Sequence, residues 1–206
     1  MLHNMRQPDA FRTRSRKRMM SVSDQDRLYE KTISSQTIYD GRIIKVKVDE
    51  VLLPNGKTAK REIVNHQGAV AVLPLTPDGK MVAVRQFRKP LERTIVEIPA
   101  GKLEPGEEPL TCAKRELEEE TGYQAASYEL LSSFYTSPGF ADELMHVYVA
   151  TGLTKGESRP DEDEFVEVLE LTLEEAKELH RTGEICDAKT VAALFAWENR
   201  VLHERG

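Results

Sequence analysis

Cysteine is nearly missing from this chain, with two in 206 residues. Cys112 and Cys186 have no metal-ligand spacing, which excludes a disulfide-stapled scaffold and a thiolate zinc cluster and suits a reducing, cytoplasmic compartment. Long apolar runs are also missing. Nothing approaches the roughly 18 consecutive apolar residues that a membrane span needs, so no membrane partner is expected. The five histidines (His3, His66, His146, His180 and His203) are scattered and read as no ligand set. There is no internal repeat and no recognisable DNA-binding module. A composition of 39% hydrophobic and 31% charged residues is that of a globular domain with an extension.

The net charge of −6 is unevenly spread. Arg6, Arg12, Arg14, Arg16, Lys17 and Arg18 face a single acid within the first twenty residues, which gives that segment +5 and leaves −11 for the remainder. An acidic body argues against nonspecific nucleic-acid binding. The basic segment has no apolar core, so it is no secretory signal; a nucleic-acid arm and an organellar transit segment are the alternatives to a disordered extension. We read it as disordered, residues 1–27, and its removal, for instance by a start at Met19 or Met20, should leave the chemistry intact.

Residues 28–66 read as a small antiparallel sheet. Ile44, Val46 and Val48 alternate with lysines as in a half-buried strand. Pro54-Asn55-Gly56 marks a hairpin, after which Arg61–Val64 resumes pairing. A main domain, 67–206, follows. Ala69–Leu73 is a continuous apolar run and so a buried central strand. Met81–Phe87 and Ile95–Pro99 are further strands, the latter running straight into Ala100. Tyr128–Tyr135, Leu144–Ala150 and Phe165–Leu171 complete the set. Thr172 should cap a helix to about Arg181. A last helix, Thr190–His203, should turn Val191, Leu194, Phe195 and Val201 inward. Strands mixed with a few helices imply an α+β fold with a mixed sheet covered on both faces.

The densest chemistry lies in GKLEPGEEPLTCAKRELEEETGY, from Gly101 to Tyr123. Glu116, Glu119 and Glu120 are related by i, i+3 and i+4, so on a helix they share a face. Like charges so placed repel by roughly 0.2–0.5 kcal/mol per pair. A hard divalent cation would turn that repulsion into binding; the alternative is a solvated acidic face. Gly101 and Gly106 suit a tight turn with positive φ. Pro109 suits the first helical turn, and Gly122 suits its end. Leu110, Ala113 and Leu117 form the stripe expected to face the core, with Cys112 a small packing residue. Arg115, four residues before Glu119, reads by itself as a surface ion pair.

At every fixed position this segment resembles the Nudix box, Gx5Ex7REUxEExGU with U a bulky apolar residue; only Tyr123 departs mildly, from an aliphatic to an aromatic residue. The resemblance implies an α/β/α sandwich with a mixed sheet, here preceded by the small N-terminal antiparallel sheet. It implies metal-dependent hydrolysis of a diphosphate, with Mg²⁺ or Mn²⁺, two or three ions, held by Glu116, Glu120, Glu119 and the carbonyl of Ala100. Such ions neutralise the phosphate oxygens, orient the substrate and activate water. In that family Arg115 orients the glutamates. Pro138, sixteen residues past Gly122, and the runs at Lys60–Val64, Arg85–Pro90, Val96–Gly101 and Asp163–Glu167 resemble the ADP-ribose pyrophosphatase subgroup. The similarity spans about residues 28–200.

That subgroup implies ADP-ribose as substrate, with AMP and ribose 5-phosphate as products, and a homodimer that exchanges its N-terminal sheets through 28–66. It gives Arg88 to a phosphate and Arg61 to the nucleotide, where each alone would read as a strand-edge charge. Glu97, which interrupts an apolar strand, becomes a substrate-binding candidate. The general base is expected from Lys155–Glu164, with Glu164 ahead of Glu162. A Nudix hydrolase of another nucleotide sugar or dinucleotide is the nearer alternative. A noncatalytic nucleotide sensor on the same fold is the more distant one, and the intact glutamates argue against it.

Overall fold

A computed structural model describes residues 27–156 and 165–204. The basic segment and both candidate bases, Glu164 and Glu162, lie outside the described residues. The chain divides into two compact units, which meet in sequence at Val64 and Asn65.

The first unit holds a three-stranded sheet in the order β1 (Lys31–Asp40), β2 (Ile44–Leu52), β3 (Thr58–His66). β1 and β2 are antiparallel. The Pro54-Asn55-Gly56 turn joins β2 to β3, with Gly56 at φ 79° and Leu53 exchanging backbone bonds with Lys57 and Gly56. Only glycine adopts that φ freely. All ten residues of β1 are exposed.

The second unit is built on two further sheets. One has the order β10 (Val166–Leu171), β5 (Met81–Arg88), β6 (Arg93–Glu97), antiparallel throughout. The other has the order β7 (Ala100–Lys102), β4 (Ala69–Pro74), β9 (Leu144–Lys155), β8 (Tyr123–Tyr135). It is mixed: β4 and β9 run parallel, whereas β7 pairs with β4 and β8 with β9 antiparallel. Three helices accompany the sheets: α1 (Pro109–Thr121), α2 (Leu173–Thr182) and α3 (Ala188–Glu204).

β4 shows why its sequence is apolar without alternation. Val70 and Val72 pack with Cys112, Ala113 and Leu117 of α1. Ala69, Ala71 and Leu73 pack on the opposite side with Ala176 of α2 and Ala193, Leu194 and Trp197 of α3. A strand covered on both faces has no solvent side to make polar. The sheet is thus layered between α1 and the α2–α3 pair. At about 25 cal/mol per Å² of apolar surface, each of these fully buried valine and leucine side chains contributes about 1.5–3 kcal/mol.

Four local expectations change. Leu110 is half-exposed, and the inner face of α1 is instead Cys112, Ala113, Glu116, Leu117, Glu120 and Thr121. The helix turns two carboxylates inward with its apolar stripe. Phe195 points outward, its ring edge-on to His180, and Trp197 takes the core position. The third strand does not run unbroken into Ala100. β6 ends at Glu97, and after Ile98-Pro99 the chain enters the other sheet as β7. β8 and β9 are longer than their apolar cores, pairing from Tyr123–Lys155 to Tyr135–Leu144. The Thr172 cap forms a full capping box with Glu175.

Candidate active site

α1 begins at Pro109, with Glu108 as N-cap, and ends at Gly122, which adopts φ 73° and donates its N–H to the Glu118 carbonyl. The helix therefore presents its acids at a fixed height over β7. Glu116 and Glu120 are both buried on this inner face. Glu120 Oε2 accepts the Ala100 N–H at 3.2 Å. The Glu116 carboxylate lies over Gly101 so closely that a Cβ at that position would overlap it. Gly101 is thus required for space; its φ is not positive, contrary to the turn role read from sequence. Gly106, at φ 82°, does have that role.

Arg115 gathers the acids on the other side. Its Nη1 donates to Glu116 Oε1 at 2.8 Å and Glu119 Oε2 at 3.0 Å. Its Nε and Nη2 reach the two oxygens of Glu107, both at 3.2 Å. Burial alone would lower the Arg115 pKa, but the bonds and charges of these glutamates leave it above the ordinary value. The same guanidinium holds Glu107 below the usual carboxylate range. Burial pushes the Cys112 thiol up to about 12, so it stays protonated and inert at neutral pH.

A divalent cation fits the donor chemistry here. Two carboxylates abut consecutive backbone units of β7, and the missing side chain of Gly101 leaves the cradle into which Glu116 reaches. Hard oxygen donors of this kind suit Mg²⁺, Mn²⁺ or Ca²⁺. Among the described residues no three His, Cys, Asp or Glu side chains are arranged to hold an ion. Arg115 draws Glu116 and Glu119 onto its own guanidinium instead.

Three residues upstream of Ala100 stands a second cluster. Glu97 is 1% exposed. Arg88, at the end of β5, grips it with two bonds, Nε to Oε1 at 2.6 Å and Nη2 to Oε2 at 2.9 Å. Lys189 Nζ donates to the same Oε2 and, at 2.9 Å, to Asp187 Oδ1. Glu97 is therefore no edge residue facing water; it is the centre of a buried ion network. Burial alone would lower the Arg88 pKa, but Glu97, with Glu120 and Asp187, holds it above its ordinary value. The guanidinium thus senses both clusters. Arg61 lies in the N-terminal unit, where Glu30 binds it through two bonds of 2.8 and 2.6 Å.

Lys189 and Asp187 were missed in the sequence. Asp187 caps α3, accepting the N–H of Thr190 at 3.1 Å, and the Asp-x-x-Thr spacing signals that cap. Lys189 carries a subtler signal. A cation in the first helical turn opposes the helix dipole and calls for a local anion.

The segment around Pro138 joins β8 to β9. Asp142 in it accepts the side-chain N–H of Asn65 and the backbone N–H of His66, both at 2.7 Å. Among the described residues no helix is long and apolar enough to cross a membrane.

Comparison with known proteins agrees with this geometry. Residues 65–194 match the model of the NUDIX domain, and residues 30–64 match that of the nucleoside diphosphate sugar hydrolase N-terminal domain. The chain is 59% identical to an ADP-ribose pyrophosphatase of Bacillus subtilis, over 81% of this chain and 91% of that protein. It is also 59% identical to a methanol dehydrogenase activator of Bacillus methanolicus, over 80% and 90%. A crystal structure of an ADP compounds hydrolase superposes with a TM-score of 0.76 at 22% identity, covering 86% of this chain and 97% of that one. That likeness establishes the fold.

Proposed function

The chain belongs to the Nudix family, and from that premise we propose that it hydrolyses the pyrophosphate of ADP-ribose to AMP and ribose 5-phosphate. The observation that carries this reading is the pair of buried carboxylates, Glu116 and Glu120, set against Gly101 and Ala100 of β7. Family members depend on a divalent metal, which we read as Mg²⁺ or Mn²⁺, in two or three ions. Glu116, Glu120, Glu119 and the Ala100 carbonyl would hold it. When bound, the metal supplies charge neutralisation at the diphosphate and an acidified water.

The chain's own residues do the rest. Arg115 spaces the acids before the metal enters. Arg88 binds a phosphate oxygen by a charge-assisted hydrogen bond, and Glu97 fixes the direction of that guanidinium. Arg61 reaches the nucleotide. Glu164, or failing it Glu162, takes the proton of the attacking water; both lie outside the described residues. Positioning and electrostatics thus supply most of the rate. We read the protein as a cytoplasmic homodimer with exchanged N-terminal sheets. The exposure of Ile33, Ile38 and Tyr39 along β1 supports an interface there.

The test is product analysis with ADP-ribose, nucleotide sugars and dinucleotides, with and without EDTA. Metal-dependent release of AMP from ADP-ribose well ahead of the others is the expected result. Equal rates on all of them would sink the narrow assignment. A preference for a nucleotide sugar would favour the second reading, which the match of residues 30–64 supports.

A further inference from the structure

We infer that Lys189 is a positioning residue for substrate binding: by engaging Asp187 and Glu97 together, it keeps one arm of the Arg88 guanidinium available to the substrate phosphate. The inference rests on the reading of Arg88 given above.

The four charges of this network form a balanced set. Arg88 and Lys189 are the cations, and Glu97 and Asp187 are the anions. Glu97 is satisfied twice, by both Arg88 bonds and by Lys189. Asp187 is satisfied on one oxygen only. Its Oδ1 accepts from Lys189 and from the Thr190 backbone. Its Oδ2 is the one buried side-chain polar atom among the described residues with no hydrogen-bond partner. Arg88 has the complementary feature. Its Nε and Nη2 are committed to Glu97, whereas Nη1 makes no hydrogen bond among the described residues, and the side chain is 40% exposed.

A buried, half-satisfied carboxylate attracts any donor within reach. Arg88 already feels the charge of Asp187. With Lys189 in place, Asp187 has its own cation, and Arg88 keeps Nη1 uncommitted. With Lys189 made neutral, two carboxylates face one guanidinium. Arg88 is then drawn inward to bridge Glu97 and Asp187, and the arm meant for the phosphate is consumed. Lys189 touches no reacting atom in this account; it acts through Arg88.

The experiment is a steady-state mutant cycle on ADP-ribose with metal present. Lys189→Met should raise KM about tenfold with kcat within about twofold, the pattern of lost ground-state binding. In an Arg88→Ala background, Lys189→Met should add nothing. In the Lys189→Met protein, Asp187→Asn should bring KM back toward the starting value, because asparagine caps a helix as well as aspartate does and removes the competing charge.

Unchanged KM in Lys189→Met overturns the inference, as does an equal further rise in the Arg88→Ala background. If Lys189→Met does not fold, the charge-balanced Lys189→Met/Asp187→Asn protein decides. KM near the starting value supports the proposal, and KM as high as in Arg88→Ala overturns it. Arg88→Ala with unchanged KM would refute the phosphate role of Arg88 itself and the inference with it. Arg88→Ala with raised KM and an additive Lys189 effect would refute the inference alone.

Discussion

The two charged clusters of the second unit flank the short passage from β6 to β7, yet they are built on opposite principles. Around Glu97 two cations meet two anions, and the carboxylate is fully buried. Around Arg115 one cation meets Glu107, Glu116 and Glu119, with Glu120 alongside on the same helix face. In the first cluster the charges balance, and only Asp187 Oδ2 is left without a hydrogen-bond partner among the described residues. In the second, the acids around Arg115 outnumber that one cation. A balanced network can be buried without a ligand, because each charge offsets the desolvation of another. A surplus of acids on one face raises the energy of the metal-free chain and so favours whatever cation arrives. In the function proposed above, the first cluster orients Arg88 and the second holds the metal.

Mutation of the acids should expose this contrast most strongly. Glu116→Gln or Glu120→Gln should lower kcat by about a hundredfold or more, the scale of a lost metal ligand or transition-state contact, with the fold intact by circular dichroism. Next, stability in EDTA should move in opposite directions. Glu97→Gln leaves Arg88 and Lys189 without their shared anion and should cost about 3 kcal/mol in urea unfolding, the usual scale for a broken buried pair. Glu119→Gln trades one of the three acids on Arg115 for relief of the repulsion among Glu116, Glu119 and Glu120, and should leave stability unchanged or raise it slightly. If both variants lose stability alike, the contrast between the clusters is wrong.

Gly101→Ala should act on the surplus cluster alone. The new Cβ pushes the Glu116 carboxylate aside at a cost of about 1–3 kcal/mol, and metal affinity measured by titration should fall. The smallest effect concerns pH. Arg115 holds Glu107 below its ordinary value of 4.5. Because the folded pKa is depressed, this contribution is present above 4.5 and is lost as pH falls through the folded value. Arg115→Met should flatten the acid limb of the metal-free stability profile, and an unchanged limb would assign it to other carboxylates.

Much of this was legible in the sequence because it was local. The apolar run of β4, the capping box at Thr172 and the ends of α1 each follow from residues within a few positions of one another. The i, i+3, i+4 acids were legible for the same reason. What the pattern did not carry was direction and distance. Leu110 fits the stripe by count, but α1 turns inward through Glu116 and Glu120, which no apolar count includes. Phe195 and Trp197 lie two residues apart on α3, and only the packing decides which is buried. Gly101 reads as a turn glycine until Glu116 is seen above it. Lys189 meets Glu97 across 92 positions, and nothing in the neighbourhood of either names the other.

The passage from β6 to β7 has one further consequence. Glu97 closes one sheet and Ala100 opens the other, with only Ile98-Pro99 as connector, and Ile98 is pinned by its N–H to Thr190 Oγ1 at 3.0 Å. There is no slack in this hinge. Lengthening or shortening it by a single residue would shift the Arg88–Glu97 pair out of phase with the carboxylates of Glu116 and Glu120, so family variants that change substrate should vary the surrounding loops and keep this spacer at constant length.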